Sequence, residues 1–223
     1  MYNIIILIIA TNEPKYYELM SDIWKKYMNN HPQIKTYFIK DKLKEQNEEI
    51  YIDEQNFTIH TNIKDSLIPG ILIKTIKSIE YINNNFNFKY IYRTNLSSFL
   101  NLQLMNDYIL NNNFDYGAVI GKCNNISYGS GCGFFLSKKI CDYLIKNKNL
   151  LEYNLYDDVA IGKLLTKKVD IFSIPRIDIV DINNEKNKIN NNIFHYRCKH
   201  TCDMYKTVDN LNFLYKIYYE NNT

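Results

Sequence analysis

A run rich in β-branched apolar residues spans Asn3 to Ile9 with no polar alternation, the pattern of a strand covered on both faces in a parallel sheet. Asn12 offers a helix cap and Pro14 suits a first turn, after which Tyr16, Leu19, Ile23 and Tyr27 recur at three and four and predict a helix. Ile34 to Ile39 predicts a second strand, and the charged stretch Lys40 to Glu49 a surface loop. Strand, helix, strand is a βαβ opening.

The helical period returns at Ile68, Leu72, Thr75, Ile79 and Ile82, with Pro69 and Gly70 near its start, and Tyr90-Ile91-Tyr92 predicts the next strand. Open α/β sheets bind ligands beyond the carboxyl ends of their strands, which here places the segment Arg93 to Phe99 at a ligand. Leu102 to Asn112 predicts a helix, Tyr116 to Ile120 a strand, and Gly129 to Gly133 a flexible turn entering a short strand, Phe134 to Leu136. Ser137 caps a helix running to about Asn147. Asp157 and Asp158 open another helix, whose apolar face carries Ile161, Leu164 and Leu165, and Val169 to Ile174 predicts a strand ending at Pro175. Residues 183–192 are almost all Asn, Lys or Glu and predict a mobile loop. Met204, Val208, Leu211, Tyr215 and Tyr218 predict a C-terminal helix over 203–220. Without repeat or linker, residues 1–223 read as a single α/β domain, a Rossmann-like, mostly parallel central sheet flanked by helices.

The composition, 46% hydrophobic over 223 residues, supports one compact core and leaves no room for a second full domain. The net charge of +3 is spread along the chain, which gives no nucleic-acid footprint but suits an anionic small substrate. Ile, Asn, Lys and Tyr share AT-rich codons, so the Asn runs and the glycosylation sequons at Asn56, Asn95 and Asn125 carry little information. The apolar start is far shorter than the roughly 20 residues that span a bilayer, and it lacks a basic n-region and cleavage site. The expectation is a cytoplasmic protein without a transmembrane segment. Five irregularly spaced cysteines agree with a reduced compartment.

Five landmarks, in order, are similar to the β-1,3-galactosyltransferase and Fringe family of GT-A glycosyltransferases. Ile23-Trp24 before the second strand resembles Ile-Arg-x-Thr-Trp, without the Arg. Asp65-Ser66-Leu67 followed by Leu72-Ile73-Lys74-Thr75 resembles Asp-x-Tyr-x-Asn-Leu-Thr-x-Lys-Thr. Tyr90 to Asn101 resembles the strand and the motif Lys-Thr-Asp-Asp-Asp-x-Phe-x-Asn, with Arg93, Thr94, Phe99 and Asn101 in place but Asn95, Leu96 and Ser97 at the acidic positions. Gly131-Cys132-Gly133-Phe134-Phe135-Leu136-Ser137 resembles the Gly-rich acceptor-side segment, and Asp157-Asp158-Val159-Ala160-Ile161-Gly162 resembles Glu-Asp-Val-x-x-Gly. The matches cover residues 1–175, with a looser echo at His195.

The resemblance implies an inverting transferase that takes a nucleoside-diphosphate sugar, a UDP-sugar first, to a glycan or other hydroxyl acceptor. Such a reaction needs a carboxylate to accept the acceptor's proton; Asp158 is the first choice and Asp157 the second, against the alternative that both merely cap a helix. The donor side takes in Thr11, Lys74, Arg93, Thr94, Asn95 and Ser97, joined by His195, Arg197 and Lys199; the acceptor side takes in Gly131, Cys132, Gly133 and Phe134. The family's acidic motif holds a divalent cation on the diphosphate. Here Asn95 and Ser97 are neutral ligands, Leu96 is none, and His195 is the remaining candidate, which leaves Mn or Mg at most loosely held with the nucleotide sugar. Arg93, Arg197 or Lys199 would then meet the leaving-group charge. Two His and two Cys within 195–202 do not match a standard zinc spacing, Cys132 and Cys141 read as buried small residues, and Trp24 as core. The glycines at 129, 131 and 133 precede a strand, so they form no dinucleotide fingerprint, and close backbone approach to an acceptor is the better reading. The rival function is a non-catalytic nucleotide- or glycan-binding module that kept the fold and lost turnover with its acidic motif.

Overall fold

The structure, a computed structural model, describes residues 1–41, 48–123 and 125–220. Along the chain come β1 (Tyr2–Ile9), α1 (Lys15–Lys25), β2 (Ile34–Lys40), β3 (Ile50–Asp53), β4 (Thr58–Thr61), α2 (Gly70–Asn85), β5 (Phe88–Asn95), β6 (Ser98–Leu100) and α3 (Leu102–Asn111). They are followed by β7 (Tyr116–Cys123), β8 (Ile126–Ser137), α4 (Lys138–Lys146), α5 (Asp157–Leu165), β9 (Phe172–Ser173), β10 (Ile177–Asp178), α6 (Ile182–Glu185), β11 (His195–Arg197) and α7 (Met204–Tyr215).

Eight strands form the central sheet in the order β3-β4-β2-β1-β5-β8-β7-β9. The run β4-β2-β1-β5 is parallel, as is β7 with β9, while β8 runs antiparallel between β5 and β7, and β3 is antiparallel to β4. A second sheet has the order β10-β11-β6. The unalternating apolar pattern of β1 has a direct cause. Ile4, Ile6 and Ile8 pack with Met20 and Trp24 of α1 on one face, Ile5 and Leu7 with Leu72, Ile76 and Ile79 of α2 on the other, and all five strand residues are fully buried. Mixed α/β layering around a mostly parallel sheet is therefore what the chain adopts.

Several local readings change. Pro14, not Asn12, stands at the cap of α1, and the Asn12 carboxamide instead accepts from Lys40 Nζ at 2.6 Å. Of the charged loop read over Lys40 to Glu49, residues 42–47 lie outside the described residues, and the β3-β4 hairpin that follows had no counterpart in the sequence pattern. The strand read at Tyr90 to Tyr92 continues to Asn95.

The glycine run is not a turn. Gly129 to Gly133 lies inside β8, where Ala118 pairs with Phe134 but Ile120 already pairs with Gly129, so that Val119 alone faces the four residues 130–133. The resulting bulge keeps its pairing to β5 on the other side, through Phe134 with Arg93 and Gly133 with Thr94. Bulges of this kind bend a strand and re-aim backbone groups, and they are over-represented beside active sites.

Within 183–192 the chain forms the end of α6 and a 3-10 turn at Lys186–Lys188. Asp181 caps α6 by accepting from Asn183 N at 3.0 Å, and Ile182 and Ile189 pack onto the core. The predicted C-terminal helix is α7, extended by a π-helical turn over Lys216–Glu220. Among the described residues no helix is long and apolar enough to cross a membrane.

Candidate functional site

The register pairs Ile9 of β1 with Asn95 of β5, so the carboxyl ends of the two strands lie side by side. The bulge of β8 borders the same edge. Its other neighbour is α5, which approaches β8 closely because Gly162 has no side chain: a Cβ there would stand 2.7 Å from Tyr128 Cα and closer still to Tyr128 Cβ. Asp157 and Asp158, in the first turn of α5, are thereby carried against the bulge. Asp158 Oδ2 accepts from Gly131 N at 2.8 Å and its Oδ1 from Val159 N at 2.9 Å, and the residue stays partly exposed.

Arg93 is buried behind it. Its Nη2 lies 2.5 Å from Asp157 Oδ2, its Nη1 donates to Gly131 O, and the guanidinium stands 5.9 Å from the centroid of the Phe134 ring. Its Nε has no hydrogen-bond partner among the described residues. Burial raises the carboxyl pKa of Asp157, outweighing the opposing pull of Arg93, and the charge of Asp158 adds to the rise. The two neighbouring carboxylates are thus unlike: Asp157 is locked into a buried ion pair, whereas Asp158 faces outward on two backbone donors.

The segment after β5 ties the bulge down. Thr94 Oγ1 donates to Cys132 O at 2.7 Å and Ser98 Oγ to the same carbonyl at 3.0 Å. Asn95 Oδ1 accepts from Ser97 Oγ at 2.8 Å and Ser98 Oγ at 3.4 Å. Leu96 is buried, and its carbonyl accepts from the indole of Trp24, a core residue, at 3.1 Å. A divalent cation of the Mn or Mg type takes hard oxygen ligands, carboxylates foremost. The 95–97 segment supplies no carboxylate and has its amide oxygen engaged, and no group of three or more His, Cys, Asp or Glu able to hold a metal occurs among the described residues. The residues at this position do not fit the cation that the resemblance implies.

His195 sits on a strand, fully buried. Its Nδ1 is 2.9 Å from Tyr92 OH and its Nε2 3.2 Å from Ser98 Oγ. Burial holds its pKa well below the usual histidine value, so the ring is neutral, and pushes the Tyr92 phenol up. Gly133 makes room for this pair, since a Cβ there would lie 2.7 Å from His195 Cε1 and closer to the Tyr92 hydroxyl. His195 supports the bulge from inside and offers neither ring nitrogen to the surface.

The other candidate residues scatter. Thr11 lies at the rim, its hydroxyl 3.5 Å from Glu13 O. Lys74 is buried on α2 with its ammonium on Asp65. Lys199 is exposed, Cys132 is partly exposed, and Phe134 is fully buried beneath Arg93, so its ring forms a floor and not a contact surface. Arg197 is partly exposed on β11, with Nη1 3.2 Å from Asp178 Oδ2 and a buried Nε that lacks a hydrogen-bond partner among the described residues.

One basic residue escaped the sequence reading. Arg176, between β9 and β10, donates from Nε to Asp178 Oδ1 at 2.7 Å, from Nη2 to Asp178 Oδ2 at 3.3 Å and from Nη1 to Ser130 Oγ in the bulge at 3.1 Å. The available signal was Arg176-x-Asp178 directly after Pro175, a spacing that puts both side chains on one face of an extended segment.

No protein-family model matches the chain, and no curated protein matches it in sequence. Solved structures match in fold. A glycosyltransferase involved in the glycosylation of the major capsid of PBCV-1 superposes with a TM-score of 0.55 at 10% identity over 96% of this chain and 100% of that one. The apo form of the glycosyltransferase GlyE of Streptococcus pneumoniae TIGR4 gives 0.51 at 11% identity over 97% of this chain, which spans only 64% of GlyE. The 4-diphosphocytidyl-2C-methyl-D-erythritol synthase of Anaerococcus prevotii DSM 20548 gives 0.54 at 8% identity, covering 96% and 98%. At such identities the likeness is one of fold, and it does not single out the Fringe-like family. The chain has the GT-A type of glycosyltransferase fold.

Proposed function

We propose that this chain is an inverting glycosyltransferase that moves a sugar from a nucleoside-diphosphate donor, a UDP-sugar first, to the hydroxyl of a glycan or similar acceptor. The observation that carries the reading is the split between the two carboxylates: Asp158, partly exposed and oriented by Gly131 N–H, beside Asp157, buried on Arg93. In a single displacement the acceptor oxygen attacks the anomeric carbon, the bond from that carbon to the diphosphate oxygen breaks with its electron pair leaving on the nucleoside diphosphate, and the acceptor proton passes to Asp158. Asp157 and Arg93 position; they do not touch the reacting atoms. The donor lies over the carboxyl ends of β1 and β5, beside Thr11, Asn95 and Ser97, and the acceptor approaches past Gly131 and Cys132. Nucleotide binding in this reading needs no divalent cation, because the segment 95–97 lacks the carboxylates that hold one.

The test is a thermal-shift screen of nucleotide sugars with and without chelator. A ligand at 100 times its dissociation constant stabilises by about 2.7 kcal/mol, so a true donor stands out, and its shift should survive chelation. If no nucleotide sugar stabilises the protein, the reading fails; a hundredfold loss of affinity on chelation removes the metal-independent part alone. The same Asn95-Leu96-Ser97 substitution favours a second reading, a binding module without turnover. Slow hydrolysis of the stabilising donor in the absence of acceptor separates the two, since only the enzyme should show it.

A further inference from the structure

We propose that Arg176 and Arg197, gathered on Asp178 beside the β8 bulge, form an anion clamp for a diphosphate group, and that Asp178 stands in for that group in the free protein. The inference rests on the transferase reading only in taking the diphosphate to be that of the donor nucleotide.

The first argument is charge. Two guanidinium groups share the single carboxylate of Asp178, Arg176 by a two-pronged contact at 2.7 and 3.3 Å and Arg197 at 3.2 Å. One positive charge is left over, in contrast to the one-to-one pair of Arg93 with Asp157. The second is burial. The Arg176 side chain is only 10% exposed, and Arg197 Nε is buried without a hydrogen-bond partner among the described residues, whereas the Asp178 side chain is 45% exposed. Buried donors normally have their acceptors in place, and here the acceptor can turn out to water more readily than the donors can. The third is shape, because the planar guanidinium fork matches phosphate oxygens as well as carboxylate oxygens.

Position supplies the fourth argument. Asp178 pairs with Arg197 in the small sheet, Arg197 pairs with Ser98, and Cys198 N donates to Ser97 O at 2.7 Å. The clamp is therefore laced to the segment where the resembled family keeps its metal-holding acids and this chain has Asn95, Leu96 and Ser97. Arg176 also holds Ser130, the neighbour of Gly131, whose N–H orients Asp158. A surplus cation at Ser130 and a partly exposed carboxylate at the adjacent Gly131 supply the opposite charges that departure of a phosphate and deprotonation of an alcohol demand.

Isothermal titration with inorganic pyrophosphate and with UDP, both in chelator, tests the clamp on the full chain. Wild type should bind both. Asp178→Asn should bind both roughly fivefold more tightly, the scale of one partly exposed ion pair released, and Arg176→Ala should weaken both by roughly tenfold to a hundredfold, the scale of a lost charge-assisted hydrogen bond. The gain in Asp178→Asn cannot arise from misfolding, so it decides the matter if Arg176→Ala proves unstable. Unchanged or weaker binding in Asp178→Asn, no binding of either probe to wild type, or loss of both in chelator overturns the clamp. UDP bound by wild type with Asp178→Asn and Arg176→Ala unaltered removes the clamp and leaves the donor reading standing. Pyrophosphate bound with the expected responses, while UDP, GDP, ADP and CDP bind no tighter, keeps the clamp and removes the nucleotide donor.

Discussion

Replacing Arg93 by Met tests whether the ion pair behind Asp158 is structural. The Arg93 and Asp157 side chains are 5% and 10% exposed, 2.5 Å apart, so the substitution leaves a carboxylate buried without its cation. Breaking a buried pair from one side costs about 3–5 kcal/mol; with a urea slope of about 2–3 kcal/mol per molar this is a midpoint shift of about 1–2.5 M. The pH dependence follows from sign. Burial already raises the Asp157 pKa above its ordinary value, and Arg93 is the group that lowers it, so its removal raises it further. A carboxyl whose folded pKa exceeds its unfolded pKa keeps its full contribution below the unfolded value and loses it as pH rises through the folded one. The Arg93→Met defect should thus be largest at neutral pH and shrink towards acid, and the double variant Arg93→Met, Asp157→Asn should regain most of the loss at pH 7. Urea melts at pH 7 and about pH 4 of wild type, single and double variants measure it. A defect under about 1 kcal/mol at pH 7, or one equal at both pH values, would refute the reasoning, because a broken buried pair costs more than an exposed one.

Gly162→Ala should destabilise the protein although Ala is favoured over Gly in helices by about 1 kcal/mol. The new methyl meets the Tyr128 backbone at 2.7 Å, overpacking costs about 1–3 kcal/mol, and a melting temperature lowered by about 2–4 °C per net kcal/mol is expected; a raised one contradicts close approach of α5 to β8. Hydrogen exchange over 183–192 should slow when a donor binds, if this polar stretch closes over the nucleotide; exchange equally fast with and without donor counts against closure. Nucleoside-diphosphate affinity should hold in chelator, as titration can show.

The readable parts of the fold were those in which a local pattern had one physical cause. β1 lacks alternation because helices cover both its faces, and the Asp157-Asp158 start of α5 follows from helix-terminus chemistry. Four successive polar or small residues could not distinguish a turn from a bulge: 130–133 is extended because β5 pairs with its end through Thr94 and Gly133. Thr58–Thr61 has the one aliphatic residue Ile59 and gave no strand signal, yet it pairs between β2 and β3, and all four residues are buried. The Asn-rich 183–192 stretch averaged away Ile189 and the Asp181 cap just before it.

The site divides in the same way. Arg93, Asp157 and Asp158 stood in recognisable motifs and meet at the bulge. Tyr92 and His195 meet across 103 residues, and Arg176 and Arg197 meet on Asp178 only because β10 and β11 pair in the small sheet. Such encounters depend on topology and leave no local period. Lys74 shows the converse: it sits in a matching motif, but its ammonium is engaged by Asp65.

The account turns on Asp158 as the proton acceptor, and turnover of Asp158→Asn tests that most directly. The amide keeps the shape and one of the two oxygens, which can still accept from Gly131 N–H, while the bond from Val159 N–H at the partly exposed start of α5 is given up at about 1 kcal/mol, so fold and donor affinity should be retained. Loss of a positioned base costs roughly 10²- to 10⁴-fold in rate. With the donor found by thermal shift and a hydroxyl acceptor, the variant should bind that donor as wild type does and transfer at least roughly a hundredfold more slowly. Transfer by Asp158→Asn at the wild-type rate would contradict the account and reduce the acidic pair to first-turn carboxylates of α5 that hold Arg93 and Gly131 N–H.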